Sequence, residues 1–322
     1  MRTIALEEHF ATPAFWAGAG RALAQQAKAL GHGQIVEELN ELGERRIAAM
    51  DEAGIDVQVL SLTSPGVEQL DPADAVSLAR ETNDLLAETV RAHPNRFAGL
   101  ATVPTPDPEA AVAELDRAVT RLGFKGAVIN GHTRGRYLDD EFFWPILACA
   151  EALGVPIYLH PTPPPNAVVE ASYHGNYSQA VAGALATTAW GWHVETATHV
   201  LRLVLSGAFD RFPKLQLIVG HMGEGLSFML PRFEQVMAHV AKLERPIHAY
   251  FLENLHYTFA AFNWTPTFLN LLLQVGVDRI LFATDHPYAS MGVARTFLDQ
   301  LPVSPHDKER IAHTNAERLL GL

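Results

Sequence analysis

The feature that most constrains this chain is a recurring unit: a short, nearly continuous apolar run, a segment with helical spacing, and a Gly or Pro break. Thr3 to Phe10 opens the series, and Val57 to Leu62, Phe97 to Val103, Gly126 to Asn130, Val155 to His160, Leu215 to His221, Asn254 to Phe259 and Arg279 to Thr284 continue it. Runs this short and apolar belong to strands buried on both faces, as in a parallel sheet covered by helices. Helical patterns lie between them over Ile35 to Ala53, Pro72 to Ala92, Pro108 to Leu122, Asp140 to Leu153, Leu185 to Ser206, from near Glu224, and over Pro266 to Val275. Two more, Val293 to Gln300 and Pro305 to Leu320, close the chain. Asp107 is placed to cap one helix, and Gly54, Gly123 and Gly154 to end others. Residues 11–34 are rich in Ala and Gly, carry only a short helical pattern, and read as a lid.

Eight strands, each followed by a helix, predict a closed (β/α)8 barrel of the α/β class, formed as one domain over residues 1–322. An open doubly wound sheet would use similar units. It would usually put a Gly-rich phosphate loop after its first strand, where this chain has Glu7-Glu8-His9-Phe10. No low-complexity linker or charge run divides the sequence.

A hydrophobic content of 48% with 19% charged residues is enough for a large core. The net charge of −12 argues against a nucleic-acid surface or a polybasic membrane patch and favours small-molecule partners. Cys149 is the sole cysteine, so no intrachain disulfide forms and the cytoplasm is the expected compartment. A basic start with an apolar run, and any apolar stretch of membrane-spanning length, are both missing, so a soluble, unprocessed chain is expected.

In such a barrel the strand C-termini converge on one mouth, where active sites form. Glu7 and His9 stand two apart, so regular alternation aims a carboxylate and an imidazole at one point and turns Glu8 away, toward the wall or a supporting partner. The fifth strand ends in His160, the sixth in His221, and Asp285 follows the eighth. Each has a plain structural role when taken singly: a solvated strand end, a turn before Pro161, a helix cap. Five metal-type side chains gathered at four strand ends go beyond those roles and predict a divalent-metal site.

The segments Ala-Leu-Glu-Glu-His-Phe at 5–10, Tyr-Leu-His-Pro at 158–161, Gly-His-Met-Gly-Glu-Gly at 220–225 with Arg232, and Ala-Thr-Asp-His-Pro at 283–287 resemble the amidohydrolase superfamily. More narrowly, they and the closing Thr-Asn-Ala-Glu-Arg-Leu-Leu at 314–320 are similar to its aromatic-acid decarboxylase branch, which includes γ-resorcylate and 2,3-dihydroxybenzoate decarboxylases. The resemblance implies one divalent ion, zinc or manganese, held by Glu7, His9, His160 and Asp285, with His221 and Glu224 as a polar pair beside it. If the helix starts directly after the strand, His221 and Glu224 share a face, and Arg232 orients the Glu224 carboxylate from two turns further on. Asn130 stands where binuclear members carry a metal-bridging lysine, so a single metal is expected and Asn130 joins the substrate-binding set. The branch commonly shows Asp-Trp-Pro-Phe where this chain has Asp285-His286-Pro287-Tyr288, a departure next to the substrate. Phe15, Trp16, His286 and Tyr288 are candidates for holding the ring; plain packing, or a solvent-facing loop for His286, is the alternative. A homo-oligomer, dimer or tetramer, is also implied.

The implied activity is non-oxidative decarboxylation of a hydroxylated aromatic acid. Asp285 passes a proton to the ring carbon, His221 hydrogen-bonds the substrate carboxylate, and Glu224 sets the His221 tautomer. The same ligands allow metal-assisted hydrolysis of a lactone or amide. A barrel that binds a ligand without turnover is a third reading, in which a complete ligand set has no purpose.

Overall fold

In the computed structural model, which describes residues 1–29 and 31–322, the apolar runs are parallel strands in chain order. They are β1 (Ile4–Phe10), β2 (Val57–Leu62), β3 (Phe97–Gly99), β4 (Ala101–Thr102), β5 (Ala127–Asn130), β6 (Ile157–His160), β7 (Leu217–Val219), β8 (Leu255–Thr258) and β9 (Ile280–Leu281). β3 and β4 are one stave interrupted at Leu100. The N–H of Leu100 donates to Leu60 on β2 and that of Ala101 to Gly126 ahead of β5, so the stave changes neighbour there. The ring closes at its ends: the N–H of Leu6 donates to the Phe282 carbonyl at 3.0 Å, and Leu6 pairs in parallel with Ala283. Eight stave positions thus form the expected (β/α)8 barrel.

Strand alternation divides the buried apolar residues into two clusters. Ile4, Leu6, Val59, Val128, Tyr158, Ile218 and Leu281 fill the barrel interior. Their sequence neighbours Ala5, Leu60, Ala127, Ile129, Leu159, Leu217 and Val219 face outward into the layer under the helices. The helix Pro72–Ala92 shows how that layer is built: Ala75, Leu78, Ala79, Thr82, Asn83, Leu86 and Ala87 recur at helical spacing and are buried. Each such Leu contributes about 1.5–3 kcal/mol by leaving water.

Several boundaries differ from expectation for local reasons. The segment Ile35 to Ala53 is two helices, Gln34–Asn40 and Glu44–Ala53, because Glu41 turns extended and its carboxylate accepts the Gly43 N–H at 2.9 Å. Leu185 to Ser206 divides into Gln179–Ala186 and Gly191–Leu205; a Cβ at Gly191 would meet the Ala186 carbonyl oxygen at 2.2 Å, so only glycine permits this turn. The closing segment is Pro305–Glu309, a π-helical turn Arg310–Thr314, and Asn315–Leu320. The stretch read as a lid holds helices Pro13–Ala17 and Arg21–Ala29, the first capped by Thr12; its residue Leu30 lies outside the described residues. Among the described residues no helix is long and apolar enough to cross a membrane.

Candidate metal centre and active site

Glu7 and His9 meet as expected, though regular alternation is not what brings them together. β1 carries one extra residue relative to β2 between Ala5 and Glu8, and Glu7 takes a left-handed φ of 60° there. This bulge re-aims the Glu7 carboxylate into the mouth. Gly220 makes room for it, since a Cβ on Gly220 would stand 2.7 Å from Glu7 Oε2. Tyr158 and Thr258 bind that same oxygen, the latter at 3.1 Å.

The metal-type atoms of Glu7, His9 and His160 all lie within 4.8 Å of one another. His160 Nε2 is 3.4 Å from Glu7 Oε1, and His9 Nε2 is 3.2 Å from Asp285 Oδ1. The Nδ1–H of His160 donates to the Pro161 carbonyl at 2.8 Å, which leaves its Nε2 lone pair facing the group. Glu7 Oε1 and both nitrogens of His9 are buried without a hydrogen-bond partner. Orphaned buried donors and acceptors are costly, and two carboxylates with two imidazoles suit a divalent cation.

Burial lowers His9 to a pKa of about 3 and takes His160 well below its ordinary value, so both rings are neutral and free to ligate. Burial also raises Glu7 and Asp285 to about 7, against the lowering pull of His221. These donors therefore fit a metal ion.

His221 and Glu224 come together by a route other than the expected one. The helix begins only at Leu226, and the intervening turn holds left-handed φ at His221 (50°), Met222 (57°) and Glu224 (56°). That turn, rather than a shared helical face, puts His221 Nδ1 2.8 Å from Glu224 Oε1. Burial would lower the His221 pKa, but the Glu224 and Glu7 carboxylates outweigh it and raise it to about 10. Glu224, despite burial, is held below its ordinary value by His221 and His193.

Arg232 does not orient Glu224. It is exposed, donates to Gln235 at 3.2 Å, and lines an apolar groove on the outer helices with Leu226, Met229 and Phe233. A helix that starts at Leu226 carries it away from the mouth. The second oxygen of Glu224 is instead bound by His193 Nδ1 at 2.5 Å.

Of the ring-holding candidates, Tyr288 stands edge-on to His9 with centroids 5.5 Å apart and shares a hydrogen bond with Thr63 at 2.6 Å. His286 is half-buried, and its carbonyl accepts the His9 N–H at 2.7 Å. Phe15 is fully enclosed in the outer core, not open at the mouth, because its ring occupies the space that Gly20 leaves free. Trp16 packs on Phe15, and its indole N–H donates to Asn40 at 2.8 Å. Asn130 ends β5 in register with His160, and both polar atoms of its buried carboxamide lack partners. Its backbone N–H donates to the buried carboxylate of Glu68 at 2.7 Å.

Sequence reasoning passed over His193, Tyr158, Thr258 and Glu68. Tyr158 was within reach, since it stands two residues before His160 on the same strand. His193 and Glu68 carried no signal beyond their residue type.

The amidohydrolase family model matches residues 14–322. The chain belongs to the amidohydrolase family. It is 37% identical to a γ-resorcylate decarboxylase of a Polaromonas species, over 99% of this chain and 98% of that one. Among solved structures this amidohydrolase superposes at a TM-score of 0.89 and 36% identity on a 2,6-dihydroxybenzoate decarboxylase complexed with 2,6-dihydroxybenzoate, with full coverage of both. A dihydroxybenzoic acid decarboxylase from Polaromonas, with bound manganese and the inhibitor 2-nitroresorcinol, gives 0.90 and 36%, covering 100% of this chain and 97% of that one.

Proposed function

We propose that this amidohydrolase is a metal-dependent carboxy-lyase that removes carbon dioxide, without oxidation, from a hydroxylated aromatic acid of the γ-resorcylate or dihydroxybenzoate type. The observation that carries the proposal is the cluster of Glu7, His9 and His160 beside Asp285, with Glu7 Oε1 and both His9 nitrogens left without hydrogen-bond partners, in a chain that matches aromatic-acid decarboxylases along its whole length. Glu7, His9, His160 and Asp285 would hold one zinc or manganese ion. When bound, such an ion supplies positive charge for the substrate carboxylate and a neighbouring phenolic oxygen.

The chain's own residues account for the rest. Asp285 carries the proton and delivers it to the ring carbon that bears the carboxylate. The ring–carboxylate bond then breaks, its electrons restore aromaticity, carbon dioxide leaves, and Asp285 regains a proton from water. His221, its Nδ1–H fixed on Glu224, turns Nε2 toward Glu7 at 3.8 Å and binds the substrate carboxylate from there. Asn130, with a free carboxamide next to His160, offers a donor and an acceptor to ring hydroxyls. Tyr288 and His286 border the ring.

Purified protein loaded with zinc or with manganese, given 2,6-dihydroxybenzoate, 5-carboxyvanillate and simple lactones, tests this reading. Carbon dioxide release is expected; turnover of a lactone with no acid decarboxylated would replace it with hydrolysis. Metal analysis is expected to return one ion per chain, and two would contradict the role given to Asn130.

The same proposal includes one domain over 1–322, a cytoplasmic setting in keeping with the lone Cys149, and a homo-oligomer. Phe228, Trp264 and Leu273 leave 74%, 68% and 83% of their surface exposed, large apolar side chains suited to contact with a second copy. Light scattering should give a multiple of 35.2 kDa, and Leu273→Lys should reduce it.

A further inference from the structure

We infer that His193 is a positioning residue that fixes the Glu224 carboxylate against His221. The inference deepens the proposed site, because it takes the His221–Glu224 pair to serve the reaction. Each oxygen of Glu224 is taken by a different imidazole: Oε1 by His221 Nδ1 at 2.8 Å and Oε2 by His193 Nδ1 at 2.5 Å. An ionised carboxylate only accepts, so both rings carry their proton on Nδ1.

The His193 ring is itself held. Its Nε2 accepts the Trp192 indole N–H at 3.0 Å, and the ring meets His221 and Phe262 edge-on at 4.8 and 5.2 Å. His193 belongs to the first turn of Gly191–Leu205, whereas Glu224 sits in the left-handed turn after β7. The contact therefore joins two independent elements.

Without it, Glu224 Oε2 would be a buried charge with no partner, which turns away or takes up a proton, and His221 would lose its counter-charge. The same three side chains could in principle hold a cation. Separations of 2.5 and 2.8 Å are hydrogen-bond distances and leave no room for an ion between the atoms.

The test uses zinc-loaded protein as wild type, His193→Phe, His193→Gln, His193→Asn, Glu224→Gln and the His193→Phe/Glu224→Gln double variant, assayed on 2,6-dihydroxybenzoate. Asn keeps a donor near the Nδ1 position, Gln moves it to Nε2, and Phe removes it. His193→Phe and His193→Gln should lose roughly 10–100-fold in kcat, with KM and zinc content nearly unchanged, and His193→Asn should recover most of that loss. In the Glu224→Gln background, His193→Phe should cost less than about 2-fold more, since the two residues act as a unit.

Proton NMR supplies a readout that needs no substrate. The far-downfield Nδ1–H signal of His221 should persist in His193→Asn and vanish in His193→Gln. A wild type inactive on every acid would sink the decarboxylase reading and leave this measurement standing. Additive losses in the double variant, a His221 signal unmoved in His193→Gln, or loss of one of two bound zinc ions would overturn the positioning role.

Discussion

Glu8 grips Thr284 twice, accepting its backbone N–H at 2.9 Å and its hydroxyl at 2.7 Å. Glu8 lies between two proposed ligands and Thr284 directly precedes a third, so this pair ties together the strand ends that carry Glu7, His9 and Asp285. Gln58 donates to Glu8 at 2.8 Å, and Arg46, 2% exposed, donates to Gln58 at 2.6 Å and to the His9 carbonyl at 2.8 Å. This chain of buried hydrogen bonds from Arg46 through Gln58 and Glu8 to Thr284 supports the donor set from behind.

Tyr158→Phe removes the phenol that binds Glu7 Oε2 while leaving the aromatic ring in the barrel interior. Metal affinity should fall roughly 10–100-fold, the usual cost of losing a partner behind a ligand. Competition with a chromogenic chelator measures it, and unchanged affinity would mean that Tyr158 only packs.

Asp285→Asn keeps the shape of the side chain and removes the transferable proton. Turnover should fall by roughly 10²–10⁴-fold, the contribution expected of a general acid. Carbon dioxide release at saturating metal is the measurement, and a variant with wild-type kcat would refute the role.

Glu68 gives a pH signature away from the ligands. Burial raises its pKa to about 7 against backbone hydrogen bonds from Asn130 and Val67 that lower it. The folded state therefore keeps a proton that the unfolded chain has released above about pH 4.5, so this group's contribution to stability declines as pH rises toward 7 and is level beyond. In denaturant titrations, the stability of wild type minus that of Glu68→Gln should fall as pH rises over that window. A difference independent of pH would show that Glu68 titrates normally.

Much of this was legible because the barrel writes itself as apolar runs, and because a strand end in a barrel has only one place to go. His160 and Asp285 could be assigned to the mouth from position alone. What escaped was local backbone geometry. The bulge at Glu7 falls at a residue other than glycine, and although Gly223 and Gly225 mark a turn after β7, the left-handed φ of His221, Met222 and Glu224 within it has no such marker. Arg232 lies away from Glu224 for the same reason, since its helix begins only at Leu226. His193 reaches Glu224 through the packing of a helix 31 positions earlier in the chain, a relationship that spacing does not encode.

The seam between Leu6 and Ala283 joins the first stave to the last, and the Glu8–Thr284 contact across it spans 276 positions. Glu7 and His9 stand on the first stave, while Asp285 follows the last. The four proposed ligands thus converge only when the ring has shut, and opening this seam would part Glu7 and His9 from Asp285.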